Sequence, residues 1–231
     1  MTHAGRADIL AEIRLSGARA EFMVHETRAA AGRAIAAALG YVALLLASHL
    51  LSVRLGVDGR LLMALATVVL LSGLCLGSAG AREFLRTQAT RARSGWIEVL
   101  CWALAGVAFH LAYFAVSGVD ASRISGWRLD ARFLASAILL SSIAAPFVEE
   151  VFFRLFAIWR SRRFPALLAV AISGAAFALL HPERPVSVLV FAALAAIAYL
   201  RVGVAASLAF HVAYNLGNYL LLLAASQANG A

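Results

Sequence analysis

About seven apolar stretches, each near the roughly 20 residues that carry a helix across a bilayer, constrain this chain more than anything else in it. They lie at 34–52, 61–79, 97–117, 133–158, 165–181, 186–200 and 202–224. Hydrophobic residues make up 63% of the 231 and charged residues 14%, and the mean hydropathy is +0.86. A soluble core does not need so much apolar sequence. The pattern predicts an all-α polytopic membrane protein with about seven transmembrane helices, within a range of roughly six to eight. Pro182 and Pro185 stop the fifth helix, because proline withholds a backbone donor and restricts the residue before it. The sixth stretch is short enough to be re-entrant. Gly73 and Gly77, at i and i+4 in the second stretch, offer a surface for close helix approach.

Charge sets the orientation. Every one of the 20 basic residues is arginine, and the net charge is +8. Arginines concentrate in the N-terminal segment, in a basic loop over 80–95 (Arg82, Arg86, Arg91, Arg93), in the turn 159–165 and at Arg201. These positions alternate with the spans as the positive-inside rule requires, so the charge is read as topological and nucleic acid is not an expected partner. The N-terminus is expected in the cytoplasm. The arginine-only usage suggests a GC-rich bacterial gene, hence a bacterial inner membrane. Residues 1–33 mix acidic and basic residues throughout, unlike a signal peptide, and read as a cytoplasmic tail or surface helix. Residues 34–130 read as helices without a motif, and residues 131–224 as the part that carries chemistry. Cys75 and Cys101 lie in apolar runs and suit neither a disulfide framework nor a metal cluster. Oligomeric state is left open.

The polar residues inside the spans carry the functional argument. Glu149 and Glu150 sit side by side in the fourth span, while the other acidic residues fall in tails, loops or span edges. An intramembrane carboxylate costs roughly 3 kcal/mol, so the pair needs a use. Arg154, four residues after Glu150, is placed to hold it on one helix face. Glu149 projects about 100° away and is left to act as a base. Phe177 precedes His181 by four residues, and His211 precedes Asn215 by four, with Asn218 a turn later. Counted from the 161–164 turn and from Arg201, the glutamates lie roughly 18 Å deep, His181 roughly 25 Å and His211 roughly 15 Å at 1.5 Å per residue. One intramembrane polar cavity holding all of them is geometrically allowed.

Such a cluster suits hydrolysis. A carboxylate and a histidine can deprotonate water, and a second histidine with an amide can donate to an oxyanion. The chain has neither a nucleophile elbow nor a His-Glu-x-x-His zinc helix. Zinc stays open, since two histidines and two glutamates can ligate it, but a mechanism without cofactor is favoured. Two other uses compete: a non-enzymatic immunity or scaffold protein using the cluster as interhelical glue, and a transporter using it as a proton relay.

Three segments in order, Glu149-Glu-Val-Phe-Phe-Arg154, Phe177-Ala-Leu-Leu-His181 and His211-Val-Ala-Tyr-Asn215, resemble the signature of the CAAX protease and bacteriocin-processing family of intramembrane glutamic endopeptidases. The resemblance covers residues 133–224. It implies that Glu149 and His181 activate water, that His211 and Asn215 stabilise the oxyanion, that Glu150 is a second essential glutamate, and that Arg154 and Phe177 give structural support. It further implies a membrane-associated protein or peptide substrate in contact with the lipid bilayer. In a bacterium that substrate is not expected to be prenylated.

Overall fold

The computed structural model describes the backbone of residues 3–117, 131–158 and 163–228, and side chains over 21–117, 134–158 and 165–221. The basic turn at 159–162 and the loop at 118–130 lie outside the described residues. Among the described residues the chain is entirely helical. The elements are α1 (His3–Leu55), α2 (Gly59–Gly77), α3 (Ala79–Ser94), α4 (Trp96–Ser117), α5 (Ala131–Ala137), α6 (Ala145–Glu150), α7 (Arg163–Leu179), α8 (Pro185–Arg201) and α9 (Val204–Ala228). Two π-helical segments, Ile138–Ala144 and Val151–Phe156, bracket α6.

Among the described residues four helical stretches are long and apolar enough to cross a membrane: Glu21–Leu55, Gly59–Gly77, Trp96–Ser117 and Leu134–Phe156. Pro165–Leu179 and Pro185–Arg201 are apolar but shorter, and with α9 they follow the expected all-α polytopic pattern without fixing the number of full spans at seven. Large apolar side chains such as Leu76, Leu104, Val116 and Leu179 are exposed around the outside. A soluble protein rarely exposes so much contiguous apolar surface. The chain is an integral membrane protein.

Local sequence explains the helix boundaries. Gly56 closes α1 at φ +66°, a conformation that favours glycine. Asp58 then caps α2, its Oδ1 accepting from the Arg60 backbone N–H at 2.8 Å. The expected basic loop over 80–95 is instead helix α3. Ser78 caps it by accepting from the Ala81 N–H, and the run from Ala79 to Ser94 holds neither proline nor an interior β-branched cluster to oppose a helix. The four arginines do not oppose the helix, since arginine is a good helix former.

α3 locks onto the α8–α9 turn. The Gln88 side chain accepts from the Val204 N–H at 3.1 Å, and Arg91 Nη2 donates to the Leu200 and Arg201 carbonyls, each at 2.9 Å. Gly203 adopts φ +117° in that turn, and a Cβ there would collide with Gln88. At the same end of α8, Ala30, Ala34 and Ala37 of α1 pack with Ala157, Ala166, Ala169 and Tyr199.

The most extensive helix pairing is α4 on α9. It depends on Gly106, where a Cβ would run into the Phe210 carbonyl, and on Gly217, where one would meet the His110 ring. Gly73 and Gly77 make no such close approach among the described residues: a Cβ on either would meet nothing within 4 Å there.

Candidate active site

The glutamates sit where the helix changes pitch. α6 is six residues long, opens with Pro146 in its first turn and ends at Glu150 between the two π segments. A π turn closes hydrogen bonds from i to i+5 and shifts the azimuth of the side chains after it. Val148, Phe152, Phe153 and Leu155 pack into the central core with Phe177, Phe191 and Phe210, and this core holds the carboxylates in place.

Glu150 is closed off from solvent, with 1% of its surface exposed. Its Oε1 accepts from His211 Nδ1 at 2.9 Å. Its Oε2 accepts from the Ser207 hydroxyl and lies 3.7 Å from Arg154 Nε. Arg154 is equally buried; it donates to the Phe153 carbonyl at 3.2 Å and to the Ala192 carbonyl of α8 at 3.3 Å, and its guanidinium lies over the Phe177 ring. The side chain thus ties the second π segment to α8 while balancing the Glu150 charge. The expected pairing of Glu150 with Arg154 is present, and His211 and Ser207 add to it.

Glu149 points elsewhere. Its Oε2 is 3.4 Å from His211 Nε2, and its Oε1 accepts from the Tyr41 hydroxyl of α1 at 3.2 Å. With Glu150 engaged by Arg154, Ser207 and His211 Nδ1, Glu149 meets the other nitrogen of the same imidazole.

His181 lies just past the end of α7, half-buried, with its ring against Phe177 at 4.6 Å between centroids. Its Nδ1 is 2.9 Å from the Phe177 carbonyl. A carbonyl only accepts, so Nδ1 carries the proton and Nε2 of the neutral ring is an acceptor. Asn215 Nδ2 donates to the Ser141 carbonyl at 2.9 Å, which fixes the amide and leaves its second N–H available. Ser141 lies in the first π segment and its hydroxyl accepts from Arg60 Nη1 at 2.6 Å, so α2, the π segment and α9 brace one another.

Glu149, Phe177, His181, His211, Asn215 and Asn218 all line one cavity of about 410 Å³. Glu150 and Arg154 stand behind it. The resemblance implies that Glu149 and His181 act together on water; both face one cavity, and the imidazole nearest the Glu149 carboxylate is that of His211. Helix-depth arithmetic gives height along the membrane normal but not azimuth, so it could gather these residues without ranking their contacts. Among the described residues no three His, Cys, Asp or Glu side chains are placed to hold a metal ion.

Sequence reasoning missed Ser207 and Tyr41. Ser207 is four residues before His211 and eight before Asn215, so a polar stripe along α9 was there to be read. Tyr41 left no such trace.

Fold and site together define a polytopic helical membrane protein with a carboxylate–imidazole centre in its interior. Residues 131–217 match the family model described as Type II CAAX prenyl endopeptidase Rce1-like. The matched stretch contains all three motifs, and over these residues the chain is similar to that family. Searches of curated proteins and of solved structures found no match.

Proposed function

We propose that the protein is an intramembrane endopeptidase that hydrolyses a peptide bond in a membrane-associated protein or peptide. The observation that carries this reading is the opening of Glu149, His181, His211 and Asn215 onto one cavity. Glu150 is not the base, because it is shut off from solvent and does not line the cavity, whereas Glu149 does. Glu149 Oε2 and His181 Nε2 orient a water, and Glu149 takes its proton. The water oxygen bonds to the scissile carbonyl carbon, and the carbonyl electron pair moves onto oxygen. That oxyanion accepts from Asn215 Nδ2 and from protonated His211 Nε2. On collapse the C–N bond breaks, and the leaving amine takes the proton held by Glu149. No cofactor is needed for this balance.

Residues 131–224 would form the catalytic part, with the N-terminus in the cytoplasm of a bacterium. His181, Pro182, Glu183, Arg184 and Ser187 line the cavity at the start of α8, whereas the arginine-rich α3 meets the other end of α8. In this orientation the cavity mouth faces away from the cytoplasm. Ser187→Cys should then react with a membrane-impermeant maleimide added outside intact cells.

The direct test is Glu149→Gln. Cleavage should fall by roughly 10²–10⁴-fold while the protein still accumulates in the membrane; full activity would sink the proposal. Activity that survives a strong chelator supports the glutamate-and-water mechanism, and chelator-sensitive activity restored by zinc supports a zinc-dependent one.

A further inference from the structure

Tyr41 belongs to α1, 108 positions before Glu149 and well outside the matched residues 131–217. Its ring is buried against Phe152 at 6.0 Å and against Phe153 at 5.0 Å between centroids. Those two phenylalanines follow directly after the Glu149-Glu150-Val151 step, so the segment that presents the glutamates also grips the tyrosine ring. The phenol is aimed by this clamp, and its hydroxyl donates to Glu149 Oε1.

The terminal torsion of a glutamate is broad and nearly two-fold, so a carboxylate with one partner can swing. Glu149 has a different partner on each oxygen: Tyr41 on Oε1 and His211 on Oε2. Tyr41 does not line the cavity, whereas Glu149 and His211 do. The phenol therefore acts on Glu149 from behind.

We propose that Tyr41 is a positioning residue of the site: its hydroxyl holds Oε1 so that Oε2 stays turned toward His211 and the cavity. This rests on the reading that Glu149 activates water. It makes α1 part of the working site, although α1 lies outside the family match.

The test uses full-length protein in detergent micelles. The first arm is infrared spectroscopy. The Glu149 carboxyl band, assigned by its loss in Glu149→Gln, should shift in Tyr41→Phe, which keeps the ring and removes the hydroxyl; an unshifted band overturns the proposal without any substrate being needed. The second arm is kinetic, with an internally quenched membrane-anchored peptide as probe. Tyr41→Phe should lower kcat on the order of tenfold, as loss of a hydrogen bond to a charged group does, with KM and the unfolding midpoint unchanged. Wild-type kcat in Tyr41→Phe beside an inactive Glu149→Gln overturns the role of Tyr41 and leaves the peptidase reading standing. An active Glu149→Gln overturns the peptidase reading itself. If Tyr41→Phe does not accumulate, 3-fluorotyrosine at position 41 keeps packing and hydroxyl but alters its acidity; it should still shift the band, and no shift overturns the proposal.

Discussion

The motif-bearing helices and the N-terminal helices are built from the same apolar residues but treat their polar groups differently. In the first region the buried Glu150, Arg154, Ser207 and His211 form one connected network, with Glu149 at its cavity edge. In the second, buried polar groups act singly. Thr67 returns its hydroxyl to the Met63 carbonyl of its own helix, and Gln88 staples one turn. Neither ring nitrogen of buried His110 has a hydrogen-bond partner among the described residues; the ring packs edge-on to Tyr214 at 5.1 Å. In low dielectric, polar groups are costly alone and mutually supporting together. The motif-bearing helices therefore carry concentrated polar risk, and the N-terminal helices supply walls, close contacts and one phenol.

That contrast breaks most visibly at Arg154. Arg154→Ala leaves the Glu150 carboxylate buried without its guanidinium and frees the Ala192 carbonyl. Removing one partner of a buried ion pair typically costs about 3–5 kcal/mol. The variant should unfold at markedly lower denaturant or temperature in micelles and lose activity with it. Near-wild-type stability would show that His211 and Ser207 alone satisfy Glu150, and that the network is looser than its geometry implies.

A smaller effect is expected where the two regions meet. Gly106→Ala places a methyl group against the Phe210 carbonyl. Backbone cannot yield as a flexible side chain does, so α4 and α9 must separate. Overpacking of this kind costs about 1–3 kcal/mol. Because α9 also carries His211 and Asn215, activity should fall further than stability alone explains. Comparing the fraction folded with the specific activity of the folded protein checks this.

How much of this was readable in advance follows the same division. Glu149, Glu150, His181, His211 and Asn215 were legible because ionisable and amide groups are expensive in apolar spans. Arg154 was legible from its i, i+4 spacing. Tyr41 was not, since a phenol in an apolar helix costs little and its partner lies far along the chain. The π segments around α6 left no readable pattern, as a shift from i+4 to i+5 hydrogen bonding follows from packing. The α4–α9 contact was also missed, because Gly106 and Gly217 lie on different helices and form no motif in either one.

The second-helix glycines give the smallest effect and the sharpest reading of that last point. Gly73 and Gly77 have the spacing of a helix-contact motif, yet a Cβ on either meets open space. If they serve nothing within one chain, Gly73→Ala and Gly77→Ala should change the stability of a single chain by at most about 1 kcal/mol, in the stabilising direction that alanine has over glycine in a helix. Gly106→Ala should then destabilise while Gly73→Ala does not, although both are glycine-to-alanine changes in apolar helices. Measured unfolding midpoints for the two variants, side by side in the same micelles, decide it. Equal destabilisation would mean that α2 packs its glycine face on something other than the described residues of its own chain.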